Sequence, residues 1–375
     1  MIEIRKIEAK GKSLKSFIDF PHDLYVDDPN YVPELFMAQR DLLSPHKHPF
    51  FLHSEMQLFM AFQQGKAVGR IAAILNNRNN QFNNTKDGFF GFFDCIDSQT
   101  VADKLLDAAR DWVRQKGMNT FIGPVNPSTN EACGLLVEGF DSPPVVMMTY
   151  NKPYYISLLE HYGLQKKVDL WAHALYKEQV GDKPIRLFDA LVERLKAKGI
   201  TIRNIDLGKN FKQELLHFGE VYNSAWDKNL GFVPMTKEEF AFMGKDLKMV
   251  ADADYCLVAE HEGKIVGVSL CLPDINQILK KIKRGRLFPT GIFKLLLGRK
   301  KIDAIRVMAL GVLEPYRKMG IEACFYAGII KAGMQKGVKM AEASWILEHN
   351  DMMNRALEHI NSKVYKKYRI YEMNI

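Results

Sequence analysis

Cysteine is scarce in this 375-residue chain, and the five present (Cys95, Cys133, Cys256, Cys271 and Cys324) form no Cys-x-x-Cys pair. An odd, scattered set indicates neither a disulfide framework nor a zinc site, and each cysteine reads as a small core hydrophobe. Histidine gathers once, at His46, His48 and His53 around Pro45 and Pro49, with no acidic or cysteine ligand beside it. A proline-bounded surface turn is expected there, and no metal site. No apolar run approaches the roughly 20 residues that a membrane-spanning helix needs. The opening residues Met1-Ile2-Glu3-Ile4-Arg5 alternate like a strand and lack the apolar core of a signal peptide. The expectation is a cytoplasmic protein, peripheral to the inner face of a membrane.

What is present suffices for real cores: 47% apolar residues, 11% of the chain aromatic. The length exceeds one ordinary domain, so two domains are expected, 1–176 and 177–375. The net charge of +8 is not spread over the chain. Residues 277–301 hold nine cations (Lys280, Lys281, Lys283, Arg284, Arg286, Lys294, Arg299, Lys300 and Lys301) and no acid, and without them the remainder carries −1. The positive excess is therefore one local feature, not a property of the whole surface.

The chain also repeats itself. Gly65-Lys66-Ala67-Val68-Gly69 recurs as Gly263-Lys264-Ile265-Val266-Gly267, and Leu159-Glu160-His161 recurs as Leu357-Glu358-His359, both at an offset of 198. The helix stop Lys116-Gly117 matches Lys336-Gly337 at an offset of 220. An extra stretch after the hairpin in the second half, and after the helix in the first, reconciles the offsets. Both halves then read as strand, Gly-Lys turn, strand, strand, helix, strand, helix, strand. Residues 56–62 and 67–75 form the first hairpin, 255–260 and 265–272 the second. Ala102, Leu105, Leu106, Ala109, Trp112 and Val113 share one helical face, as do Ile321, Phe325, Ile329 and Ala332. Leu187, Leu191 and Leu195 predict a further helix in the linker. The fold class is α/β: two tandem domains, each a mixed, mostly antiparallel sheet with a parallel β-α-β centre flanked by helices.

The chemistry points to the stretch from Gly311 through Val312, Leu313, Arg317, Lys318 and Met319 to Gly320 and Ile321. A strand ends, a proline turn follows, and a helix opens near Gly320. Unpaired N–H groups at a helix start, with the helix dipole behind them, can cradle a pyrophosphate. An ordinary strand–turn–helix with a solvated basic pair is the plain alternative. The spacing Val312-x-x-Pro315-x-Arg317-x-x-Gly320 resembles the acyl-CoA signature of the GNAT superfamily of N-acyltransferases, Arg/Gln-x-x-Gly-x-Gly/Ala. The stretch from Asn151 to Leu164 is similar to that family's C-terminal motif. The resemblance covers nearly the whole chain as two copies, and it is matched in layout by tandem members such as N-myristoyltransferase and Fem-type enzymes.

The resemblance implies that residues 311–313 and 317–321 named above would hold acyl-CoA as a cosubstrate, with backbone N–H near Val312 facing the developing oxyanion. Asn350 would contact the pantetheine or cap the last helix. Glu322 stands where the family has a small residue. The first half lacks the Arg-x-x-Gly-x-Gly pattern, so it is expected to shape substrate rather than bind cofactor. Leu357 aligns with the family's frequent tyrosine acid, which leaves the general acid unassigned. Glu348, at a strand's C-terminal end, is the candidate base, with Glu342 and His349 behind it. Asn126, Asn130 and Tyr150, in or near a turn-rich loop, are candidate substrate contacts; plain turn chemistry is their alternative.

Residues 277–301 interleave cations with Ile278, Leu279, Ile282, Leu287, Phe288, Ile292, Phe293 and Leu295 to Leu297. That mixture suits an anionic membrane surface, whereas a nucleic-acid patch leaves the aliphatics unexplained. An amphipathic hairpin packed on its domain is the bland alternative. The leading expectation is an acyl-CoA-dependent N-acyltransferase acting on a small or lipid-like amine such as a sphingoid base, with a long acyl chain. Two alternatives are a Fem-like transferase using aminoacyl-tRNA and a non-catalytic acyl-CoA-binding protein.

Overall fold

The structure, a computed structural model, describes residues 1–181, 183–227 and 231–375. In chain order it begins β1 (Ile2–Ile7), α1 (Gly11–Leu24), α2 (Phe36–Leu42), β2 (Glu55–Gln63), β3 (Lys66–Leu75), α3 (Asn77–Asn83), β4 (Asp87–Cys95) and α4 (Gln99–Gln115). Then come β5 (Thr120–Gly123), β6 (Val125–Asn126), β7 (Ala132–Cys133), β8 (Leu135–Glu138), α5 (Tyr155–His161) and β9 (Gln165–Tyr176). Next follow α6 (Lys183–Lys196), β10 (Ile200–Asn204), α7 (Phe211–Ala225), α8 (Lys237–Val250), β11 (Leu257–His261), β12 (Lys264–Pro273), α9 (Asn276–Leu279) and α10 (Gly291–Gly298). The chain closes with β13 (Ala304–Val312), α11 (Ile321–Gln335), β14 (Met340–Leu347), α12 (Asp351–His359) and β15 (Lys363–Asn374).

These elements form two compact units that are not contiguous in sequence. Unit 1 comprises Met1–Leu170, Asn276–Gly298 and Lys366–Ile375; unit 2 comprises Trp171–Ile275 and Arg299–Tyr365. In unit 1 the strand order is β1-β2-β3-β4-β5, with β15 on β5 and β8 on β15. The pairs from β1 to β4 are antiparallel and β4–β5 is parallel. In unit 2 the order β10-β11-β12-β13-β14 repeats the scheme, three antiparallel pairs and then a parallel one. The α/β class with a doubled sheet is what the repeats predicted.

Local chemistry explains the repeat. Each Gly-Lys turn places two consecutive residues at positive φ, Gln64 (50°) with Gly65 (76°) and Glu262 (51°) with Gly263 (75°). That is the tight hairpin whose twist matches its strands, and glycine takes the second position without strain. In unit 1, α4 buries Val101, Ala102, Leu105, Leu106, Ala109 and Val113 against the sheet, with Trp112 partly buried beside them. Such aliphatic burial contributes about 1.5–3 kcal/mol per large side chain. Gly69 and Gly88 let the helix approach, since a Cβ there would lie 2.6 Å from Leu105 and 2.5 Å from Val113.

In unit 2, Ile321, Phe325 and Ile329 of α11 are buried as predicted. Leu191 and Leu195 of α6 join that core, but Leu187 is exposed. Phe188 takes its place, because its ring fits over Gly328 of α11, 2.7 Å from where a Cβ would stand.

The basic segment lies in sequence within the second half, yet all of it up to Gly298 belongs to unit 1, and only Arg299, Lys300 and Lys301 to unit 2. Arg284 and Arg286 pair with Asp23 and Asp19 of α1 at 2.5 and 2.8 Å. Gly285, at φ +61°, presses against the Glu34 carbonyl, where a Cβ would come within 1.8 Å.

Candidate active site

The parallel pair β13–β14 is short. Residues 304–307 face residues 340–343, and the pairing ends there. At that point β13 carries a bulge: the register against β12 passes from Val307 to Ala309, and Met308 is left over. From there β13 stays with β12 as far as Val312. Among the described residues its other edge pairs with no strand from Met308 on, so its backbone groups there are available to a guest.

The strand leads into a curled turn. Leu313 donates its N–H to Val266, and Glu314–Tyr316 makes one 3₁₀ turn. Lys318 (φ 65°) and Gly320 (φ 100°) are both left-handed, and Gly320 is the N-cap of α11. Glycine carries no capping side chain, so the first N–H groups of α11 face outward with the positive end of the helix dipole. Such a helix start, with its N–H groups outward, is suited to an anion.

The side chains divide the work differently from the sequence expectation. Val312 and Ile321 are buried in the core shared with Leu191 and Phe325, and Leu313, Tyr316 and Met319 pack against it. These side chains shape the turn from within the core. Arg317, though exposed, is tied down: its Nε donates to the Val312 carbonyl at 3.1 Å and its Nη2 to the Ala225 carbonyl at 3.3 Å. The guanidinium thus ties the turn to β13 and to the end of α7. Lys318 remains exposed. Glu322, half-buried in the first helical turn, helps burial push the Tyr326 phenol up to about 12. Gly311 is buried under Trp226, whose ring lies 2.4 Å from where a Cβ would stand. Asn350 accepts from the Met353 N–H at 3.2 Å and so caps α12.

Below the split, Arg306 and Glu342 face each other in register and are 2% and 0% exposed. The Glu342 carboxylate accepts from Ser344 Oγ at 2.5 Å and from the Tyr365 hydroxyl, with Arg306 Nε at 3.8 Å. Arg306 Nε also donates to Ser344 Oγ at 3.0 Å, and its guanidinium lies 4.9 Å from the Trp345 ring. Tyr365, which sequence reading missed, is partly exposed. The visible signal was Arg306 itself: an arginine inside Ala-Ile-Arg-Val-Met-Ala-Leu-Gly-Val must find an acid.

Glu348 lies just past the end of β14, half-buried. Six residues of extended chain separate it from Glu342, roughly 20 Å, so the two carboxylates do not act as a dyad. The Glu348 turn is held by Asn354, whose Nδ2 donates to the Leu347 and Glu348 carbonyls at 3.2 and 3.3 Å. Asn354 Oδ1 lies 3.1 Å from His173 Nε2, and His173 Nδ1 lies 3.2 Å from Ser362 Oγ. Burial holds the His173 imidazole below its ordinary value. His349 is exposed, and Leu357 is buried.

Unit 1 has the same split and fills it. There β4 and β5 pair only over residues 87–89 with 120–122, and β4 is irregular at Phe92, φ 50°. The chain then runs from β5 into β6, and the Phe92 N–H donates to Asn126 Oδ1 at 2.7 Å. A Cβ on Gly91 would lie 1.7 Å from the Val125 carbonyl oxygen. Asn126 therefore plugs its own unit's opening. The Asn130 N–H donates to Ser128 Oγ at 3.1 Å, and the Tyr150 hydroxyl donates to Asp28 at 2.9 Å beside Lys152.

The doubled sheet, with an open split strand pair leading into an uncapped helix start, has the layout of a tandem GNAT fold. Among solved structures, a tandem GNAT protein from the clavulanic acid biosynthesis pathway matches 100% of this chain and 98% of its own, with a TM-score of 0.60 at 9% identity. A glucosamine N-acetyltransferase region of a fungal multi-domain beta-N-acetylglucosaminidase matches 100% of this chain and 38% of its own, with a TM-score of 0.57 at 13% identity. No protein-family model matches the sequence. The bacterial ceramide synthase of Caulobacter vibrioides (strain NA1000 / CB15N) is 36% identical over 366 residues, 96% of this chain and 94% of that protein. Protein YghO of Escherichia coli (strain K12) is 36% identical over 369 residues, 96% of this chain and 93% of that protein. The chain belongs to the family that contains bacterial ceramide synthase.

Proposed function

We propose that this enzyme transfers the acyl group of an acyl-CoA to the amine of a lipid-like acceptor of the sphingoid-base class, with the segment 277–301 meeting an anionic membrane surface. The observation that carries the donor assignment is the release of β13 from β14 after Val307 together with the left-handed turn that opens α11. A pantetheine arm fits a strand edge that offers unpaired N–H and C=O groups, and a diphosphate fits the helix start. Unit 1, whose equivalent opening holds Asn126, takes no acyl-CoA and is left to shape the acceptor. The acceptor class follows from the relative that is a ceramide synthase, since a ceramide is an N-acylated sphingoid base.

In the reaction the acceptor nitrogen attacks the thioester carbonyl, a C–N bond forms, and the C–S bond then breaks. A backbone N–H of β13 beyond Met308 is the donor for the oxyanion. Glu342 is the favoured proton acceptor because it lies at the apex of the split, one residue below Ala343 where the pairing ends. Being buried, it acts through Tyr365: the phenol oxygen takes the ammonium proton as its own proton passes to Glu342. The departing thiolate takes the second proton, which the nitrogen sheds as the amide forms. Glu348, at the far end of β14, is the competing base.

The test is amine-dependent thiol release by the purified enzyme with acyl-CoAs of increasing chain length and a sphingoid base, with the amide identified by mass spectrometry. Thiol release that ignores the amine, or none with any long-chain pair, would sink the proposal.

A further inference from the structure

We infer that α10 lies in the plane of an anionic membrane, with Phe288, Phe293, Leu296 and Leu297 immersed and Lys280, Lys281, Lys283 and Lys294 at the level of the lipid phosphates. The inference rests on the membrane reading of residues 277–301 proposed above and deepens it, naming the helix face and the lysines that make the contact.

The helix Gly291–Gly298 is apolar on two faces. One face is satisfied within unit 1. Gly291 and Gly298 allow Ile282 and Ile278 to within 2.9 Å of where a Cβ would stand, and Ile292 and Leu295 are half-buried on the same side. The other face is bare: Phe293, Leu296 and Leu297, at i, i+3 and i+4, are 64%, 60% and 77% exposed, and Phe288 just upstream is 72% exposed. These are four of the fourteen large hydrophobic residues exposed among the described residues, gathered within ten positions. Scattered exposed hydrophobics need no explanation, but a cluster marks a contact surface.

The charges around it choose the partner. Arg284 and Arg286 are occupied by Asp23 and Asp19, which fix the segment to α1, so the surface is held and not dangling. Lys294 bridges to the Lys281 carbonyl at 2.7 Å, which brings the upstream lysines to the rim of the helix. Lys280, Lys281 and Lys283 are exposed and form no salt bridge among the described residues, and no acid occurs from Gln277 to Lys301. An apolar helix face rimmed by unpaired lysines is complementary to an anionic bilayer. No helix among the described residues is long and apolar enough to cross a membrane, so the mode is in-plane.

The experiment is co-sedimentation of the full chain, without substrates, with vesicles of phosphatidylcholine alone and with one-third phosphatidylglycerol. Each lysine is worth roughly fivefold in partitioning at low salt, and each large apolar side chain roughly tenfold. The parent should therefore bind anionic vesicles at least a hundredfold more tightly than neutral ones, and high salt should largely abolish the difference. Phe293→Ser with Leu296→Ser and Leu297→Ser should reduce anionic-vesicle binding at least a hundredfold. Lys280→Glu with Lys281→Glu and Lys283→Glu should do the same with every apolar residue in place. Turnover of a dispersed short-chain amine should survive in both triple variants, which keeps the membrane result separate from the enzymatic one. Equal binding by parent and both variants, or none to anionic vesicles at low salt, overturns the inference. So does a parent that is dimeric in solution and a serine variant that is monomeric, because the face would then be covered by a second copy.

Discussion

Replacing Tyr365 with phenylalanine removes one hydroxyl and little else. The ring stays, Glu342 keeps Ser344 Oγ at 2.5 Å and Arg306 Nε at 3.8 Å, and no charge is left newly alone. The stability cost is that of one hydrogen bond to a charged group, about 1.5–3 kcal/mol. If the phenol is the conduit between acceptor amine and Glu342, turnover falls by about 10²–10⁴-fold while KM for acyl-CoA changes little. Glu342→Gln is the blunter change, since Arg306, 2% exposed, would keep Ser344 and the indole face but lose its counter-charge. Breaking a buried pair in this way costs about 3–5 kcal/mol. The assay is thiol release at saturating acyl-CoA, with chemical unfolding of each variant run in parallel. Glu348→Gln decides the matter: a large loss of turnover there, with Tyr365→Phe within threefold of the parent, moves the proton acceptor to the end of β14 and refutes the relay.

Asn126→Ala should lower unfolding stability by about 1–3 kcal/mol, because the Phe92 N–H loses its partner. Turnover per folded molecule should be unchanged; a large rise in acceptor KM would instead mark Asn126 as a substrate contact. Gly311→Ala drives a methyl into the Trp226 ring and should cost about 1–3 kcal/mol together with most of the turnover, read by calorimetry and thiol release. His22, buried beside Arg70 and Arg284, has its imidazole depressed to about 4, chiefly by desolvation. The unfolded chain binds this proton more readily, so the stability it confers is complete above about pH 6.5 and is lost as pH falls toward 4, by up to about 1.4 kcal/mol per unit. Denaturant unfolding at pH 7 and pH 5 should show that slope in the parent and a shallower one in His22→Gln.

The doubled sheet was readable because its punctuation is chemical. Two Gly-Lys turns need left-handed residues, and two helices carry apolar faces at one spacing. The turn that opens α11 was readable for the same reason, since Gly320 at φ 100° is a position only glycine holds easily. The role of Arg317 was not, because whether a guanidinium meets a ligand or a carbonyl depends on Ala225, some ninety positions away. Glu342 was named, but Tyr365 lies on another strand, and nothing in a linear pattern brings a phenol to a particular carboxylate. Asn126 was singled out as polar in a loop; that it closes its own unit's strand gap follows only from the bulge at Phe92.

The strand that completes unit 1 arrives from far away. Tyr371 to Asn374 pair with Gly123 to Thr120, so about 250 residues, among them all of unit 2's sheet, separate two neighbours in one sheet. During synthesis β5 must wait with a bare edge while that intervening chain emerges and folds. The first half is thus a late finisher, and its unpaired edge is where a chaperone would be needed and where misassembly between nascent copies would begin.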